Sequence, residues 1–85
     1  DPTVRSNTAG AFARIASVKP RRVEPFTDTL IELLDDEWTR SRVHACWALG
    51  RCGATAAADA LAECRHTDSE ESVRQRAAWA LERIE

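Results

Sequence analysis

Val73-Arg74-Gln75-Arg76-Ala77-Ala78-Trp79-Ala80-Leu81-Glu82-Arg83-Ile84, near the end of the chain, is written twice more upstream with variations. One copy is Ser41-Arg42-Val43-His44-Ala45-Cys46-Trp47-Ala48-Leu49-Gly50-Arg51-Cys52; the other is Val4-Arg5-Ser6-Asn7-Thr8-Ala9-Gly10-Ala11-Phe12-Ala13-Arg14-Ile15. An arginine recurs at Arg5, Arg42 and Arg74, and a second at Arg14, Arg51 and Arg83. Phe12, Leu49 and Leu81 keep one large apolar place. The copies lie 37 and 32 residues apart. Units of that period are the mark of a helical-repeat solenoid, because each buries its apolar face only by stacking on the next. The sequence therefore predicts an all-α solenoid of about two and a half repeats and five helices.

Outward from the copies, nothing reads as a strand, since no alternating apolar run exceeds a few positions. The first helix is expected over about residues 2–18, with Pro20 enforcing its stop. The second is expected from about Val23 to Leu34, with Pro25 tolerated in its first turn. The third runs from about Trp38 to Cys52, with Gly53 as its C-terminal cap. The fourth runs from about Thr55, a candidate N-cap, to Arg65. The fifth starts near Ser69, a second candidate N-cap, with Glu70 and Glu71 suited to the positive helix end. Each repeat is thus an outer A helix followed by a motif-bearing B helix. The expected division is a half repeat over 1–19 and repeats over 20–53 and 54–85, all in one domain.

Eighty-five residues make one small domain, and the net charge of -2 is not that of a nucleic-acid-type polycation. With no Met anywhere and an opening Asp1-Pro2, the chain reads as a piece of a longer array. No run approaches the roughly 18 apolar residues of a membrane span. Three cysteines suit a reducing compartment better than a disulfide framework, so a cytoplasmic location is expected.

The pattern V-R-x-x-A-x-x-A-L-x-x-I after an acidic-polar turn resembles the short HEAT-like repeats of the phycobilisome-lyase type. Asp1-Pro2-Thr3-Val4-Arg5 is close to that family's turn and helix start. Ala45-Cys46-Trp47-Ala48-Leu49-Gly50-Arg51-Cys52-Gly53 is close to its helix end. The chain departs from the pattern at Ser41 in place of Val, Gly10 in the Trp position and Cys52 in place of Ile. Tetratricopeptide and ankyrin patterns fit worse, lacking the W-x-x-L-G spacing with a later Tyr and the T-P-L-H turn respectively. The resemblance implies a curved stack with B helices along its concave side. It implies no single activity, since such repeats occur in scaffolds and in enzyme subunits.

At about 100° per residue, Val73, Ala77, Ala80, Leu81 and Ile84 fall on the core side of the last helix. Their equivalents Leu49, Cys52, Phe12 and Ile15 are expected to be buried too. The opposite faces carry Arg40, Val43, His44, Trp47, Gly50 and Arg51 on the third helix and Trp79, Glu82 and Arg83 on the fifth. Stacking the repeats aligns Arg14, Arg51 and Arg83 in one row and Gly10, Trp47 and Trp79 in the next. Arg14, Arg40, His44, Trp47, Arg51, Trp79 and Arg83 are thus the candidate partner-binding residues, since Arg and Trp are the types most enriched in interaction hot spots. The blander alternatives are that the indoles pack against Arg stems and that the arginines form a solvated face. Arg5, Arg42 and Arg74 read as structural, within reach of the turn acids Asp36 and Asp68. Glu24, Asp28 and Glu32 form an acidic stripe on the second helix, which would polarise the molecule.

No catalytic constellation is expected. His44 and Cys46 point to different sides of a helix, and no paired zinc spacing, phosphate loop or nucleophile elbow occurs. Neither metal nor cofactor is anticipated. HEAT-like DNA glycosylases place Trp, Arg and a carboxylate on the concave side, but Arg51 and Arg83 stand one turn beyond the tryptophans here. The leading expectation is a non-catalytic interaction scaffold that binds an acidic or extended protein segment along the B-helix groove. A nucleic-acid-binding module using the same strip is the runner-up, and an accessory domain of an enzyme such as a chromophore lyase is third. No membrane partner is expected. The apolar faces of the first and last repeats favour self-association or further repeats.

Overall fold

Pro20 ends the first helix as its ring requires. The structure, a computed structural model, describes residues 2–84; Asp1 of the first turn motif lies outside the described residues. Helix α1 spans Pro2–Val18, α2 Thr27–Leu33, α3 Thr39–Cys52, α4 Ala58–Thr67 and α5 Glu71–Ile84. No strand occurs among the described residues.

The second helix is not the continuous run expected from Val23. Pro20–Phe26 forms a 3-10 stretch instead, and α2 starts only at Thr27. Pro25 has no N–H to give to a carbonyl four residues back, and its ring crowds that carbonyl. The segment therefore tightens, with Arg22 donating to the Lys19 carbonyl at 3.0 Å. Thr55 does not cap the fourth helix either. Thr55–Ala57 is a short 3-10 turn, begun at Ala54 without a side-chain cap. Ser69 does not cap the fifth and stands exposed. The helix instead opens at Glu70, whose carbonyl accepts from Val73 and Arg74, and Asp68 braces the turn before it by accepting the Glu70 N–H at 2.9 Å. The expectation at Gly53 holds: its φ is 67°, in the left-handed region where a Cβ is penalised. Gly53 donates to the Gly50 carbonyl and Ala54 to that of Leu49, so the end of α3 is closed by its own backbone.

The B helices α1, α3 and α5 lie side by side, and α2 and α4 pack behind α3 and α5. The result is a slab with extents of 33 × 28 × 18 Å. Leu30, Leu49, Leu61, Val23 and Val73 are its largest apolar side chains with almost no exposure. Ala9, Ala16, Ala45, Ala48, Ala77 and Ala80 line the helix contacts, where small side chains let backbones approach.

Burial of the motif positions follows the repeats only in part. Val73, Leu81 and Leu49 are buried, whereas Phe12, Cys52 and Ile84 are half-buried. Ile15 is 43% exposed, contrary to expectation. It lies on the side of α1 away from α3, where it lines an open apolar depression with Phe12, Val18, Val23 and Phe26. Phe12 and Phe26 meet there with ring centroids 5.2 Å apart.

The turn arginines tie the repeats together. Arg42 forms a fork on the Asp68 carboxylate at 2.8 and 3.2 Å and donates to the Asp36 carbonyl at 2.8 Å. Arg5 makes the same kind of contact one repeat earlier, with the Asp36 carboxylate and with Glu37 at 3.1 Å. Arg74 donates to the Asp68 carbonyl at 2.7 Å. Each of these three arginines thus serves a turn. Burial of Asp36 would raise its pKa, but the Trp38 N–H and the Arg5 guanidinium outweigh that and hold it below the ordinary carboxylate value.

Candidate functional site

The face of α1, α3 and α5 opposite α2 and α4 gathers the aromatic and basic rows. Trp47 and Trp79 occupy the same place in successive copies, one on α3 and one on α5. Their rings stack with centroids 4.7 Å apart and planes 6° from parallel. Both indoles are half-buried. The Trp47 indole N–H donates to the Ser17 hydroxyl at 2.8 Å, which ties the ring to α1. Trp79 is seated over Gly50, where a Cβ would come within 2.7 Å of the ring and 2.9 Å of Ala80. Gly50 is therefore a packing position between α3 and α5, not the groove residue the helical wheel suggested.

Guanidiniums surround this stack. Arg76 lies 5.0 Å from the Trp47 centroid and 5.3 Å from that of Trp79. Arg83 lies 5.2 Å from Trp79, and Arg51 lies 5.9 Å from Trp47. Cations over indole faces are attracted by the ring quadrupole. Arg51 has a second task, donating to the Ala16 and Ser17 carbonyls at 3.4 and 3.0 Å. Helix α1 ends before Pro20 without a glycine cap, so its last carbonyls need an outside donor. At the equivalent end of α3, Gly53 supplies the closure and Arg83 stays exposed over its ring.

Two depressions follow the seam between α1 and α3. One, of about 320 Å³, is lined by Gly10, Ala13, Arg14, Ser17, Val43, His44, Trp47 and Arg76. The other, of about 370 Å³, is lined by Thr3, Ser6, Asn7, Trp38 and Arg40. Steps of three and four residues along α1 put its lining positions on one face. Burial, reinforced by the charges of Arg40 and Arg14, holds His44 below the ordinary imidazole pKa, so it is neutral at pH 7.

The structure brings His44, Trp47, Arg51, Trp79 and Arg83 into one strip, with Arg14 at its α1 edge. Arg40 faces the neighbouring depression beside Trp38, which is half exposed and opens α3. Two members escaped the sequence reading, Arg76 and Ser17. Arg76 is three residues before Trp79 and equivalent to His44, a spacing that already puts it on the ring's own side. Ser17 carried no signal, because its part depends on where α3 lands on α1. Glu24, Asp28 and Glu32 are exposed on the 3-10 stretch and α2.

The three cysteines are free thiols. Cys46 is fully buried and its pKa is pushed up, first by its hydrogen bond to Cys64 and then by burial. Among the described residues, no group of three or more His, Cys, Asp and Glu could hold a metal ion. No helix among them is long and apolar enough to cross a membrane.

The family model for HEAT repeats matches residues 1–82 of the chain. No curated protein matches it.

Proposed function

Because this chain belongs to the HEAT-repeat family, we propose that it is a non-catalytic scaffold whose Trp–Arg strip binds an acidic, extended segment of another protein. HEAT repeats generally mediate protein–protein interaction. The observation that carries the finer reading is the ring of guanidiniums around two half-buried, stacked indoles on one face of the slab. The carboxylates of α2 and its lead-in lie away from that face. Such polarity steers an acidic partner to the basic side. Indoles preassembled by stacking lose little freedom on binding, which favours anchor residues.

A nucleic-acid strand is served less well. Trp47 and Trp79 cover one another on their facing sides, so the pair offers fewer free faces to successive bases than two separate stacking platforms would. The three free thiols fit a reducing compartment such as the cytoplasm.

The test is selection from an unbiased peptide display library, followed by affinity measurement against single-site variants. Selected peptides should be rich in Asp and Glu. Trp47→Ala and Trp79→Ala should each cost about 2 kcal/mol, roughly 30-fold in affinity. Selection of neutral or basic peptides would defeat the proposal. So would random-sequence oligonucleotide binding that is tighter and has a salt slope falling by about one unit for each arginine removed.

A further inference from the structure

The row that holds Trp47 and Trp79 has a vacant third place at Gly10. Gly10, Trp47 and Trp79 each lie five positions after a turn arginine, Arg5, Arg42 and Arg74 respectively. A Cβ built on Gly10 meets nothing nearer than 3.8 Å, and its neighbours there are the Arg14 guanidinium and the His44 ring. Those are the residues equivalent to Arg51 and Arg76, which stand over Trp47. The surroundings of a tryptophan in this row are thus repeated at position 10 without the tryptophan. Trp79 covers Trp47 from the α5 side. On the α1 side Trp47 borders the depression of about 320 Å³ that Gly10, Ala13 and Val43 floor.

We infer that this depression receives a planar aromatic side chain from the acidic partner segment, which stacks on Trp47 as the third member of the row. The inference rests on the scaffold reading and adds the anchor residue to it. The ring enters over the Gly10 backbone. Arg14, exposed and on a flexible stem, moves aside and closes over the ring as Arg83 does over Trp79. Acidic residues flanking the aromatic meet Arg14, Arg40 and Arg76, and the neutral His44 imidazole forms one wall.

The test compares two short synthetic peptides of Asp, Glu and Gly that differ only at a central Trp or Leu, by fluorescence anisotropy with the 85-residue chain. The Trp peptide should bind at least about tenfold more tightly, since offset stacking adds to ordinary apolar contact. Gly10→Trp, which fills the place from within, should reduce that preference to less than about twofold while both peptides still bind. Equal binding of the two peptides by the unmodified chain overturns this inference and leaves the scaffold reading standing, whereas failure of both to bind removes the scaffold reading itself. A preference that persists in Gly10→Trp also overturns it, because the ring then binds elsewhere. Competition by oligo-dT that Gly10→Trp abolishes would assign the vacancy to a nucleobase and overturn the peptide assignment.

Discussion

At Gly50 a methyl group would sit 2.7 Å from the Trp79 ring and 2.9 Å from the Ala80 backbone, so Gly50→Ala forces α3 and α5 apart. Overpacking of this kind costs about 1–3 kcal/mol and outweighs the roughly 0.5–1 kcal/mol that Ala gains over Gly in a helix. Gly53→Ala meets no neighbour within 4 Å but must hold φ near 67°, at about 1–2 kcal/mol. Gly10→Ala meets neither obstacle and should stabilise by about 0.5–1 kcal/mol. Urea denaturation of the three variants checks the order: Gly10→Ala above the unmodified chain, the other two below it. The sequence alone could not rank them. A helical wheel places Gly10 and Gly50 on the Trp-bearing face alike, because it assigns a direction and not the neighbour found there. Gly53 was legible, since a glycine just past the last periodic residue is the ordinary way to close a helix. Ile15 was misread for a related reason: equivalence to Cys52 and Ile84 says nothing about whether a helix lies beyond α1 to cover it.

The B helices were legible as elements because three copies of one pattern fix their limits together. The A helices had no such repetition, and Pro20 with Pro25 turned the expected second helix into a 3-10 stretch before α2. What joins the elements is the set of turn arginines, and their burial ranks them. Arg42 and Asp68 have side chains 12% and 7% exposed, so Arg42→Met strands a buried carboxylate and should cost about 3 kcal/mol. The Arg5 side chain is 39% exposed, and Arg5→Met should cost about 1 kcal/mol or less. Thermal unfolding of the two variants tests the ranking. Asp36 supplies the pH dependence. Its folded pKa is depressed, so its contribution is fully present above the unfolded value of about 3.9 and is lost as pH falls through the lower folded value. Asp36→Asn should therefore lower stability at neutral pH and flatten the acid limb below about pH 4.

Taken whole, the molecule is a slab with arginines and indoles on one broad face and a stripe of acids on the helices behind. The two-row arrangement of Arg and Trp could be read from the repeat spacing, but the stacking of the rings and the bridging Arg76 required three helices in register. One pH effect belongs to this scale. His44 has a depressed pKa, set by burial and then by Arg40 and Arg14. An acidic partner favours its charged form, so affinity should rise as pH falls through the range in which His44 takes up its proton, and His44→Gln should remove the rise in calorimetric titrations. Nitrogen-15 chemical-shift mapping during addition of an acidic, Trp-containing peptide shows whether the Trp–Arg face receives an acidic protein segment. Saturable shifts are expected for the Trp47 and Trp79 indole N–H signals and for backbone amides at Gly10, Ser17, His44 and Arg76, with α2 and α4 unmoved. Shifts confined to α2 and α4, or none at all at peptide concentrations that saturate the anisotropy signal, would contradict it.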